Sequence, residues 1–302
     1  MNTMSPSTAH AYIDESGAKG LLRNLTLDRD DEIAVMAAII IHDSIAAGIK
    51  QQLEIPHNLL KAQTPQQDKL HITDAFSSSN DKWIAAAITA RAEIERILIS
   101  NKIPIIYSAR RLKLSRILFE MAQQMVDAAR EFHKTTTPNI GISNHMSEDR
   151  VEGEVFTHLI LKLDAYGKDS NMAMIPHIDN TIDAIHQHYC EQLNESRNIS
   201  QNTTTHQAFD ILNKKKLTGT ISLSVYHEDG RLAKEFDTTH VINPIVESDV
   251  TPEILAADVV TNSIFSHLSG LVQPLNAPNS IANWNLSSLV TANVPNDNFD
   301  IL

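Results

Sequence analysis

A single cysteine, Cys190, stands among 302 residues, so no internal disulfide framework staples the chain, and the composition suits a reducing compartment. No apolar run approaches the roughly 20 residues that a bilayer-spanning helix needs. Residues 1–7 lack the basic segment followed by an apolar core that marks a secretory signal. The expectation is a cytoplasmic protein without a membrane segment, in which sequons such as Asn198-Ile199-Ser200 carry no meaning. Basic charge is scarce as well. Lys and Arg number 25 against 37 Asp and Glu, a net charge of −12, whereas a protein that grips nucleic acid through many phosphates presents a basic face. Only short basic clusters occur, Arg110-Arg111-Leu112-Lys113 with Arg116 and Lys214-Lys215-Lys216. Any hold on nucleic acid must therefore be local or assisted by a partner.

What is present is enough apolar material for a sizeable core, 42% of the residues. The first apolar run, Ala9-His10-Ala11-Tyr12-Ile13, leads into Asp14-Glu15 and a Ser16-Gly17 turn. It reads as a buried strand whose end presents an acid. Neighbouring strand residues face opposite ways, so Asp14 and Glu15 cannot both serve one metal from a regular strand. Residues 32–41 read as a second strand buried on both faces, and Ile45, Ile49 and Leu53 predict a helix ending before Pro56. Residues 56–81 read as irregular. Asn80 or Asp81 caps a helix over 82–100 with Ile84, Ile88, Ile94, Ile97 and Leu98 as its apolar stripe. A third strand over 103–108 and a helix over 113–133 follow, the latter with Ile117, Leu118, Met121, Met125 and Phe132 on its buried side.

The second half is patterned less clearly. Residues 135–150 read as a polar loop and 156–163 as a helix. Residues 172–178 read as a strand delivering Asp179, followed by a helix over 181–193. On that helix His186 and Cys190 have the spacing of a metal pair but lack the further ligands zinc needs. Residues 194–207 read as a flexible connection, and 218–225 and 231–236 as strands flanking a turn at 227–230. A last core strand is expected over 239–244. Thr251 caps a final helix whose Asp258 lies among apolar residues and is expected to face inward. A buried carboxylate without a partner costs several kcal/mol, and metal ligation is one way to offset that cost.

Asp14, Asp179 and Asp258 thus end or begin separate elements. Carboxylates gathered in this way suit a pair of magnesium ions, which neutralise the acids, activate water and stabilise the leaving oxygen of a phosphodiester. Tyr12-Ile13-Asp14-Glu15-Ser16-Gly17 resembles the opening motif of the domain-of-unknown-function-3800 family. Glu253-Ile254-Leu255-Ala256-Ala257-Asp258 resembles its late helical motif, with Ser248 where a serine commonly precedes it. Lys69-Leu70-His71 and Ile178-Asp179 resemble its middle motif and its strand-end acid. Three positions depart from the pattern: Leu255 for the usual Gln, Lys69 for a common acid, and Asn180 for a second acid. The resemblance spans residues 9–271. It implies an α/β fold similar to ribonuclease H, a mixed sheet flanked by helices with insertions, as one domain over 1–272; the polar, Asn-rich tail over 273–302 reads as irregular, a strap or a partner-binding arm. It further implies a magnesium- or manganese-dependent phosphodiesterase acting on DNA or RNA. Asp14, Asp179 and Asp258 would be its metal ligands, Glu15 or His71 would assist, and Arg110 and Arg111 would contact the substrate backbone. A setting in phage defence or mobile elements, beside an ATPase or other effector, goes with that reading. The alternative is a binding or scaffold subunit that keeps the fold without turnover, and a third possibility is hydrolysis of a small nucleotide.

Overall fold

The computed structural model describes residues 7–21, 24, 26–29, 31–66, 68–136, 140–142, 150–179, 183–210, 212–234, 237–269 and 286–291. In chain order its elements begin with β1 (Ser7–Gly17), β2 (Ile33–His42), α1 (Asp43–Lys61), α2 (Ile72–Ser77), α3 (Asp81–Ser100) and β3 (Ile105–Arg111). They continue with α4 (Leu112–Thr136), β4 (Ile140–Ile142), α5 (Val151–Ser170), β5 (Met172–Ile178), α6 (Asp183–Ser196), β6 (Gln201–Asp210), β7 (Lys215–Ser224), β8 (Ile245–Val246) and α7 (Pro252–Ser269).

The unbroken apolar run of β2 dictates its place. Side chains alternate along a strand, and here both faces are covered: Ile33, Val35, Ala37, Ile39 and Ile41 enter one core, and Ala34, Met36, Ala38 and Ile40 the other. β2 lies between β1 and β3, antiparallel to both. On its other side β1 pairs in parallel with β5, and β5 in parallel with β8, so the five-stranded order is β3-β2-β1-β5-β8. The core against α1, α3 and α7 fills one face of this mixed sheet, and the core against α5 and α6 fills the other. The expected α/β architecture with helices on both faces of a mixed sheet is therefore present. Among the described residues no helix is long and apolar enough to cross a membrane.

Several elements differ from the sequence reading. α1 runs through Pro56 to Lys61 because Leu53, Pro56, His57 and Leu60 are all buried, and packing of that face outweighs the lost backbone bond. The segment expected to be irregular contains α2. On α3 the expected Ile94, Ile97 and Leu98 are buried, but the N-terminal half of the stripe is Trp83, Ala86, Ala87 and Ala90, with Ile88 exposed; the true 3.6-residue period there runs through alanines. On α4, Ile117 and Met121 are exposed rather than buried, and the side chains of Leu118, Met125 and Phe132 lie outside the described set. β7 pairs with β6, forming a three-stranded sheet with β4, while the expected pairing across the 227–230 turn is reduced to a Tyr226–Leu232 bridge, and residues 235–236 of the expected strand lie outside the described residues. The polar residues 201–210 are thus a strand, because backbone pairing on an exposed hairpin needs no apolar side chains. The turn at 227–230 persists, with His227 N–H donating to the Arg231 carbonyl at 2.8 Å. Residues 239–244 run beside β5 through the Met174–Val241 bridge, but the paired strand is β8. Most of the tail over 273–302 is outside the described residues, yet Leu286 and Leu289 are buried against the first core, and Val290 bridges Ile105 of β3.

A polar chain fastens the sheet near the future site. His10 on β1 contacts Asp43 at the start of α1 (2.7 Å) and His177 on β5 (2.8 Å), and His177 in turn contacts Glu247 just past β8 (2.6 Å). The Tyr12 ring stacks on His177 at 4.7 Å. These contacts tie β1, β5, α1 and the β8 segment together.

Candidate functional site

β1 and β5 run in parallel and end together, so Asp14 near the end of one and Asp179 just beyond the other come to the same end of the sheet. α7 crosses this end and carries Asp258 inward, as its apolar surroundings predict; Asp258 is 5% exposed and Asp14 8%. The cap expected for α7 is in place, with the Ile254 N–H donating to Thr251 Oγ1 at 3.2 Å. His71, immediately before α2, stands among the three acids. Its Nδ1 lies 3.4 Å from Asp258 Oδ2 and its Nε2 3.7 Å from Asp179 Oδ2. The Ile72 N–H at the start of α2 donates to the same Asp258 oxygen at 2.8 Å.

Glu15 faces away from Asp14, as alternation along a strand requires. It pairs with Lys19 at 2.9 Å and accepts from the Tyr189 hydroxyl of α6 at 3.3 Å. Asp14, Glu15, His71 and Asp179 nevertheless line one cavity of about 140 Å³ together with Lys19 and Lys69. β1 runs through the Ser16-Gly17 pair that the sequence assigns to a turn, paired with Val35 and Ala34, and the chain turns away only after Gly17. Gly17 sits at φ +89°, and a side-chain carbon there would lie 2.1 Å from the Ile33 carbonyl oxygen and 2.6 Å from the Phe265 ring. Only glycine fits this turn.

The electrostatics follow from burial and crowding. Burial holds the Asp14 carboxyl well above the usual carboxylate range, and the Asp258 and Glu15 charges push it further; His71 only partly opposes them. His71 is raised to about 9, first by its contact with Asp258 against the opposing effect of burial, then by the charges of Asp258, Asp14 and Asp179. It is thus the resident cation of the acid cluster at neutral pH. The donors fit a hard divalent cation in kind: carboxylates from three elements, one of them buried with its charge opposed by neighbours. Among the described residues, however, no group of three His, Cys, Asp or Glu side chains is gathered closely enough to hold a metal ion as it stands.

Arg110 and Arg111 do not line the cavity. Arg110 is buried and bonds Glu154 at 2.8 Å, which also accepts from Ser115 at 2.6 Å; Arg111 donates to the Asp31 carbonyl at 3.1 Å. His186 and Cys190 touch at 3.5 Å on α6, and burial raises the thiol, which keeps it protonated. Sequence reasoning missed Lys19 and Tyr189 as cavity residues. Lys19 had a legible signal, its position four residues after Glu15; Tyr189 had none, because it reads as ordinary helix core.

No family model, no curated protein and no solved structure matches the chain.

Proposed function

We propose that the chain is a divalent-metal-dependent phosphodiesterase of ribonuclease H type, acting on nucleic acid. One observation carries the reading: Asp14, Asp179 and Asp258, from three separate elements, stand around one imidazole at the end of two parallel strands. The strand order supports it, with one antiparallel strand between the first and third strands and two parallel strands on the other side, as in ribonuclease H-like sheets. The motif resemblance at residues 12–17 and 253–258 supports it too.

Asp14, Asp179 and Asp258 would hold magnesium or manganese. Such an ion supplies neutralisation of the acids and Lewis acidity toward phosphoryl oxygens. Lys19 and Lys69 bring positive charge to the same cavity, where an anionic substrate is oriented. His71 carries a proton at neutral pH that a leaving oxygen can take. Glu15 sets the position of Lys19 through their ion pair.

A second reading, a binding subunit without turnover, is favoured by the pairing of His71 with two of the three acids, since it already satisfies part of the charge a metal would. Thermal denaturation with added magnesium or manganese separates the two. A ligand of the native state raises Tm, so the hydrolase reading expects a rise in wild type that is lost in Asp14→Asn and Asp258→Asn. The same small or absent response in all three proteins supports the binding subunit.

A further inference from the structure

Two lysines near the site have no role in the fold. Lys61 closes α1, and Lys69 lies on the segment leading to His71. Both are exposed, and neither ammonium group makes a hydrogen bond or ion pair among the described residues. Three lysines are engaged elsewhere, Lys19 with Glu15, Lys162 on the Tyr107 carbonyl and Lys168 with Asp164; what sets Lys61 and Lys69 apart from other exposed lysines such as Lys50 is that they share one cleft beside the site. Lys61 and Lys69 line a cleft of about 260 Å³ together with Leu70, Asp179, Asp249 and Val250. Lys69 and Asp179 also line the carboxylate cavity, so the two spaces adjoin. The cleft wall is fastened to α1, because the buried His57 bonds the Val250 carbonyl at 2.9 Å.

We propose that this cleft is a phosphate subsite, in which Lys61 and Lys69 hold the phosphate next to the scissile one of a single-stranded nucleic acid; the proposal rests on reading the carboxylate cavity as a hydrolytic centre. Two unpaired ammonium groups in a chain of net charge −12 are an anion site placed against the general field. Leu70 and Val250 offer apolar surface to the sugar or base between the two phosphates. Asp249 on the same wall disfavours a further phosphate there and accepts from sugar hydroxyls or base amino groups. With Arg110 and Arg111 engaged in internal bonds, few basic groups remain near the site, which suits a short stretch of single strand rather than a duplex that needs many phosphate contacts.

The test is the salt dependence of binding. A fluorescein-labelled single-stranded hexanucleotide is titrated with full-length protein by fluorescence anisotropy, without divalent metal so that nothing is cleaved. Two phosphate contacts give a slope of about −1.4 in log K against log salt, an affinity loss of about seven-fold between about 50 and 200 mM. Lys61→Gln and Lys69→Gln each reduce the slope by about 0.7, the double variant removes the cleft's whole share and leaves only what Lys19 adds from the adjoining cavity, and Lys50→Gln, an exposed lysine outside the cleft, leaves it unchanged. A wild-type slope retained in the double variant, or no measurable binding by wild type, overturns the proposal. Cleavage of the same oligonucleotide with magnesium is read separately. A lysine-dependent slope without cleavage keeps the subsite and defeats the hydrolytic reading, whereas cleavage with a slope indifferent to both lysines does the reverse.

Discussion

Asp14 is a buried carboxylate raised first by desolvation and then by the charges of Asp258 and Glu15. Because its folded-state value is raised, the folded chain keeps a proton that the unfolded chain has lost, and stability falls as pH rises above the ordinary carboxylate value near 3.8. Asp14→Asn should therefore stabilise the metal-free protein at pH 7, by on the order of 1 kcal/mol or about 2 °C in Tm, while abolishing metal-dependent activity. The gain should vanish near pH 3, where both side chains are neutral. His71 has the opposite chemistry. Its raised value means that its stabilisation is complete below about pH 6.5 and is lost as pH rises through about 9. Tm of the metal-free protein should decline over that window, and His71→Gln should flatten the decline; an unchanged slope in the variant would contradict the arrangement of His71 among the acids. At this scale the sequence was informative: Asp14, Asp179, Asp258 and His71 all sit where strand ends and motif spacing suggest. Lys19 and Tyr189 belong to the same cavity, but Tyr189 arrives by packing of α6, and local patterning carries no sign of that.

Elements were legible where burial imposes a period. The two-sided core of β2 and the inward Asp258 of α7 follow from runs of apolar residues. The misread elements share a cause, which is that their stability comes from something other than a local apolar pattern. α1 continues through Pro56 because its buried face holds it. β6 is rich in Thr, Gln and Asn and relies on backbone pairing with β7, so composition points to a linker over 194–207 where a strand stands, while β7, with Leu217, Ile221 and Leu223, was legible as a strand over 218–225. The turn expected to start at Ser16 comes later, because Ser16 and Gly17 still pair with Val35 and Ala34, and the role of Gly17 at the strand end can be tested. Gly17→Ala adds a carbon 2.1 Å from the Ile33 carbonyl oxygen at positive φ, and should destabilise by about 2 kcal/mol or more in urea unfolding. Loss of metal response together with that destabilisation would show that the turn also sets the end of β1 for Asp14.

Across the whole molecule, residues 286–291 reach back over the sheet edge, with the Thr291 N–H donating to the Ile105 carbonyl at 3.1 Å. Leu286 is 0% exposed there, so Leu286→Ala should cost about 2–5 kcal/mol, measured by chemical denaturation, where a surface tail would cost nearly nothing. Of the two roles expected for the tail after residue 273, strap or partner-binding arm, residues 286–291 take the first, and two leucines suffice to dock them. The distribution of charge also acts at this scale. His158, beside Arg110 and Lys162, is lowered to about 3, chiefly by burial, so it stays neutral in the folded chain and its contribution to stability is lost as pH falls below about 6.5. With His71 acting on the other side, these two histidines together favour a stability maximum near pH 6.5.

The most direct measurement is cleavage of single-stranded DNA and RNA by purified protein with magnesium or manganese, compared across wild type, Asp14→Asn and Asp258→Asn. The account predicts metal-dependent cleavage by wild type and a loss of at least about 100-fold in either variant, since each removes a ligand to the reacting centre. Cleavage that survives both substitutions, or wild type that cleaves neither polymer with either metal, would contradict it.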